Sequence, residues 1–124
     1  AYTLSDIGTC LKYRGENIIQ LESLVNEAEE LLNVYSVMAV NPSLHPDVKF
    51  EEAVEFIRFL VSDNGQNLIG NFGKLEYGQS LFYPAVKVLE NESSEIGGWI
   101  RTYAFIDNTE CPPDLRFGQE DLYD

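Results

Sequence analysis

Leu31-Leu32-Asn33-Val34-Tyr35-Ser36-Val37-Met38-Ala39-Val40-Asn41-Pro42 is the stretch on which the fold turns. Its residues are mostly apolar and β-branched, interrupted by Asn33, Tyr35 and Ser36. Val34, Val37 and Val40 favour extended backbone, and Tyr35 also suits a strand. Pro42 has no N–H to give a ladder, so the strand should stop at Asn41. The alternation is imperfect, which predicts a strand covered on both faces for part of its length. Its three polar side chains either satisfy neighbouring backbone or face a polar ligand.

Working outward, the loop 41–47 leads into Val48–Ser62, where Phe50, Ala53, Val54, Ile57, Leu60 and Val61 recur at helical spacing. Phe56 and Phe59 widen that apolar face, so the helix is expected to be buried around much of its circumference. Ser62 or Asp63 can cap a second short helix from Gly65 to about Asn71. Upstream, Ala1–Leu4 reads as a short strand, and Ser5 or Asp6 can cap a helix ended by Gly15. A strand running into a capped helix is friendly to anions, because first-turn N–H groups lack partners. Equally, the two residues can do nothing but cap. Ile18–Glu22 is another strand candidate, and 81–88 reads as an extended segment with Pro84 at an edge or loop. Glu95–Ile106 has helical spacing, and close packing of another backbone would explain Gly97 and Gly98. Strands alternating with helices indicate an α/β domain over residues 1–112, followed by an acidic tail at 113–124. That tail is expected to be poorly ordered or to dock by Leu115, Phe117, Leu122 and Tyr123.

Three ordered blocks carry a family resemblance. They are A-Y-T-L-S-D-I-G-T-C-L from Ala1, L-L-N-V-Y-S-V-M-A-V-N-P-S-L-H-P from Leu31, and F-E-E-A-V-E-F-I-R-F-L-V-S-D-N-G-Q-N-L-I-G-N-F-G-K from Phe50. Together they resemble the C-terminal half of the tungstate-binding proteins of ABC importers, over roughly Ala1 to Gly73. Ile7 stands where that family usually has Arg, Cys10 where it has Tyr, and Val34-Tyr35-Ser36 where it has Pro-Tyr-Gly. The resemblance implies a lobe of a two-lobed, periplasmic-binding-protein-like (type II) fold, with the organising strand at the hinge and a tetrahedral oxyanion between lobes. Tungstate and molybdate are too alike to separate, since discrimination lies in cavity size and donor placement. The implied donors are the Tyr35 hydroxyl, the Asn33 amide, the Val34 and Ser36 backbone N–H groups, and the Thr3 and Ser5 hydroxyls. Such neutral donors suit a dianion. Tyr35 can instead be a core aromatic whose hydroxyl reaches a carbonyl. An ABC permease partner and an extracytoplasmic location are also implied. The chain starts abruptly in a strand-like segment without a signal peptide, and reads as a mature or trimmed piece. A lone lobe of this kind is expected not to bind tungstate tightly and to self-associate as a homodimer.

Composition bounds the alternatives. The 124 residues carry 21 acidic against 8 basic side chains, a formal net charge of −13. Nucleic acid and anionic membrane would be repelled. A small oxyanion is not excluded, because repulsion is screened beyond about 8–10 Å. Cys10 and Cys111 lack metal-site spacing, and the residues alone leave their pairing open; the resemblance, with Tyr in place of Cys10, implies free thiols. The carboxylates of 26–30 have no nearby His and read as a solvated face, so no metal or cofactor is expected. His45 lies alone in a Pro-bounded loop, and neither a nucleophile elbow nor a nucleotide loop is present. The chain is therefore expected not to be an enzyme. Paired carboxylates acting on a substrate would need an apolar cleft. The remaining alternative is an acidic protein-interaction module meeting a basic partner.

Overall fold

Phe50–Val61 forms the longest helix of the computed structural model, which describes residues 1–104 and 117–118. Five other α-helices accompany it: α1 Ile7–Gly15, α3 Asp63–Asn71, α4 Lys74–Tyr77, α5 Ala85–Glu90 and α6 Glu95–Tyr103, with the long helix as α2. A 3-10 turn covers Glu29–Leu31.

Local sequence signals explain an end of five of these helices. Asp6 caps α1, its carboxylate accepting from Thr9 N at 2.8 Å. Ser62 closes α2 and opens α3: its hydroxyl donates to Phe59 O at 2.7 Å and accepts from Gly65 N at 3.3 Å. Ser94 caps α6 by accepting from Gly97 N at 3.1 Å. Gly73 and Gly78 flank α4 at φ 88° and 73°, the left-handed region that suits residues without a Cβ.

Packing runs in a chain: α2 on α3, α3 on α5, and α5 on α6. Its buried large apolar side chains among the described residues are Val54 and Ile100, 3% and 4% exposed. Burying a side chain of this size contributes about 1.5–3 kcal/mol. Gln66 holds the chain together at its centre. It is 5% exposed, donates its amide to Leu60 O at 2.8 Å, and accepts from Val86 N at 3.0 Å. One side chain thus ties the end of α2 to the start of α5. A Cβ on Gly97 would stand 2.9 Å from Val88 O, so this glycine permits the close α5–α6 approach. Gly98 has no such neighbour.

The described residues contain no strand, so the α/β class expected from the sequence is not observed. Ala1–Leu4, Ile18–Glu22 and Leu32–Asn41 have no ladder partner among the described residues. An extended stretch becomes a strand only when a neighbouring backbone offers complementary N–H and C=O groups. The segment 81–88, expected to be extended, contains α5 instead, because Gln66 receives the Val86 N–H and fixes the first turn. The expected all-round burial of α2 is also corrected. Phe56 and Phe59 are 56% and 43% exposed, since nothing described covers that side.

Helix α6 ends at Tyr103; Ile106, Cys111, Leu115, Leu122 and Tyr123 lie outside the described residues. Phe117 packs edge-on against Phe50, ring centroids 5.2 Å apart, as one of the expected docking contacts. Cys10 is a free thiol. Among the described residues no helix is long and apolar enough to cross a membrane.

Candidate functional site

Asn33 to Val40 make no backbone hydrogen bond to any described backbone group. The segment is anchored at each end. Leu32 N donates to Glu29 O at 3.2 Å in the 3-10 turn. At the far end Pro42 ends the extended run as its chemistry requires. There the Asn41 side chain accepts from Ser43 N at 2.8 Å, and its carbonyl accepts from Leu44 and His45 N–H. Between these anchors the N–H groups of Asn33–Val40 remain available to water or a ligand.

The six candidate donors are not gathered in one place. Val34 and Ser36 line an open cleft of about 520 Å³ with Leu32, Glu29, Glu30 and Tyr103. Tyr35 points to the other side, 76% exposed, its ring edge-on to Phe82 at 5.9 Å. Asn33 is exposed and does not line the cleft. Thr3 and Ser5 are exposed, and their hydroxyls turn to the carbonyls of Leu4 at 3.5 Å and Asp6 at 3.1 Å.

Electrostatics separate the possible uses of this cleft. Tyr103 donates its hydroxyl to Glu29 Oε2 at 3.3 Å. The Glu29 charge, then that hydrogen bond, holds the Tyr103 hydroxyl above its usual range. Tyr83 likewise donates to Glu27, and this bond is the largest cause of its raised value. In the first cleft, Glu29 and Glu30 both line the space that Val34 and Ser36 line. Like unit charges 4 Å apart cost about 1 kcal/mol in water, and a dianion feels more. An oxyanion placed here must rely on donors pointing away from Glu29 and Glu30. At α1 the Thr9 amide is already taken by Asp6, whose carboxyl is held below its usual range chiefly by that backbone bond.

A second concavity, of about 310 Å³, lies between α3 and α5 and includes Asn67, Asn71, Lys74, Phe82, Tyr83 and Lys87. Sequence reasoning did not single these residues out. Its available signal was the spacing 63, 67 and 71, which sets Asp63, Asn67 and Asn71 on one helix face. Among the described residues no group of His, Cys, Asp and Glu is arranged to hold a metal ion.

Comparison with known proteins places this geometry in a wider setting. The chain is 37% identical over 84 residues to "Tungstate-binding protein TupA" of Peptoclostridium acidaminophilum, covering 68% of this chain and 29% of that protein. It is 40% identical over 88 residues to a Haloferax volcanii protein named for ABC-transporter anion binding, covering 68% of this chain and 25% of the other. It is 37% identical over 75 residues to "Tungstate-binding protein TupA" of Campylobacter jejuni, covering 56% and 26%. The aligned part thus spans between a quarter and three-tenths of these relatives. No family model matches the chain, and no solved structure matches it.

Proposed function

We propose that this chain, a partial match to the tungstate-binding proteins, is the C-terminal part of the substrate-binding component of an ABC importer for a tetrahedral oxyanion. Tungstate is the favoured ligand and molybdate its near-equal. The observation that carries the reading is the 37% identity over 84 residues to a tungstate-binding protein. The geometry supports it through the Asn33–Val40 backbone, which leaves a row of N–H donors beside the Tyr35 hydroxyl. In the complete molecule this segment pairs as the hinge strand of an α/β lobe. Pairing with strands from the rest of a two-lobed protein brings Thr3, Ser5, Asn33, Val34, Tyr35 and Ser36 to the cleft between lobes. Enclosure there removes water and strengthens each donor. Binding is the whole of the chemistry, in keeping with relatives named as binding proteins rather than enzymes. The partner is an ABC permease on the extracytoplasmic face, and the isolated chain forms a homodimer.

Calorimetric titration of the complete two-lobed protein with tungstate tests the reading. Tight binding is expected. Tyr35→Phe should weaken it by about ten- to a hundredfold, since one donor to a charged ligand contributes ~1.5–3 kcal/mol. Absence of any oxyanion binding by the intact protein would overturn the proposal. It would favour the interaction-module alternative, for which the net charge of −13 is the supporting observation.

A further inference from the structure

The concavity between α3 and α5 gathers basic side chains in a strongly acidic chain. Lys74 and Lys87 both line it, two of only eight basic residues. The ammonium of Lys74 donates to Asn71 Oδ1 at 2.9 Å, and that of Lys87 to Asn67 Oδ1 at 2.8 Å. Both acceptors are neutral, so neither bond cancels the charge. Two carboxylates stand near the groove: Glu27, which accepts the Tyr83 hydroxyl, and Asp63, 3.3 Å from Lys87 Nζ with its side chain 91% exposed. An ion pair so open to water contributes little and yields readily to a competing anion. Because Asn67 and Asn71 use their oxygens on the lysines, each keeps an NH2 group to donate.

Beside Gln66 and Ser80, the remaining wall is mainly aromatic and apolar. Phe82, Tyr83 and Pro84 line it, with Phe82 and Tyr83 42% and 55% exposed. An open groove of about 310 Å³ leaves a bare inorganic anion largely hydrated. An anion carrying an apolar body would instead cover these rings while its charged end meets the two ammonium groups.

We propose that the α3–α5 groove is a binding site for a small organic anion, a carboxylate or phosphate carried on an aromatic or acyl body. Lys74 and Lys87 hold the charged end, and Phe82 and Tyr83 receive the apolar part. This site adjoins Tyr35 through Phe82, but its charged groups are not the donors assigned to the inorganic oxyanion, and it does not depend on that reading.

Amide-resolved NMR titration of the chain tests this with phenyl phosphate and phenylacetate, against phenol and inorganic phosphate. Both organic anions should shift the amides of Asn67, Asn71, Lys74 and Phe82, and whichever binds more tightly identifies the preferred headgroup. Phenol and inorganic phosphate should bind at least tenfold more weakly. The double substitution Lys74→Gln/Lys87→Gln should weaken the organic anions at least tenfold, the arginine pair should retain them, and Asp63→Asn should tighten them. Equal binding of phenol, unchanged binding in the glutamine pair, loss in the arginine pair, or shifts clustered elsewhere would overturn the site. None of these readouts involves tungstate.

Discussion

Asp6 shows how much one side chain decides at the start of this chain. Its carboxylate occupies the Thr9 amide, so an anion approaching this helix end must displace a group of its own charge. The cap also has a pH signature. The Asp6 carboxyl is held below its usual value in the folded chain, first by the Thr9 backbone bond and then by the Thr9 side chain. A depressed acid stabilises the fold above its unfolded pKa, about 3.9, and loses that contribution as pH falls through the folded value. Hydrogen exchange at Thr9, taken relative to the intrinsic amide rate, should therefore accelerate on acidification below about pH 4. In Asp6→Ala it should be fast throughout, and in Asp6→Asn slow throughout. The same Thr9 protection in all three proteins would show that another group caps α1. The sequence allowed either Ser5 or Asp6 this role, and the geometry chooses Asp6.

At the scale of elements, the corner between α2 and α3 explains a block of sequence that could pass for a ligand loop. Ser62 ends one helix and begins the next, leaving a single residue for the turn. Such a turn brings the third residue of α3 onto the last carbonyls of α2. A Cβ on Gly65 would lie 2.1 Å from Phe59 O and 2.8 Å from Leu60 O, both backbone atoms. Gly65→Ala must separate the two helices, so its cost should lie at or above the upper end of the ~1–3 kcal/mol typical of overpacking. Gly98 is the internal control, helical with nothing within 4 Å of a built Cβ. Gly98→Ala should stabilise by about 0.4–1 kcal/mol. Urea denaturation of the two variants measures the contrast, and similar midpoints would show that the corner is looser than described. The helices α1, α2, α3 and α6 were legible because caps and apolar spacing are local signals. α5 was not: Val86 and Val88 look extended, and a distant amide, Gln66, decides otherwise. The organising stretch failed as a strand for a related reason. Its β-branched residues describe a preference, but a ladder also needs a second backbone. Of the candidate site, the row of donors could be read from the sequence, while the lysine groove needed α3 and α5 side by side.

For the whole molecule, the balance of buried and exposed apolar surface is the governing fact. Val54 and Ile100 are buried, whereas Tyr2, Leu4 and Met38 are 91%, 80% and 80% exposed. Exposed apolar surface of this extent tends to be covered by association. Sedimentation of the isolated chain should therefore show self-association, with a dimer as the leading species. The same chain should not bind tungstate tightly, since an open cleft faced by Glu29 and Glu30 cannot enclose a dianion. A monomer whose melting temperature climbs steeply with micromolar tungstate would contradict both expectations.

Gln66 joins α2, α3 and α5 through an amide that gives one hydrogen bond and takes one. Ionised glutamate can only accept, so Gln66→Glu would leave Leu60 O without its donor and place a charge where the side chain is 5% exposed. Protonated glutamic acid, however, repeats the pattern of glutamine, with a hydroxyl to give and a carbonyl to take. One change of atom would thus make the fold acid-dependent. The carboxyl pKa would be raised in the folded chain above the unfolded value of about 4.3. Its contribution would be complete below that value and lost as pH rises through the folded one. Stability of Gln66→Glu should approach the parent's in acid and fall away towards neutrality, a slope seen by measuring urea midpoints at several pH values. Parallel curves for variant and parent would mean that the amide does not bridge the helices. A slow hydrolysis of this one amide in ageing protein would have the same effect, turning a constant tie into one that acid must restore.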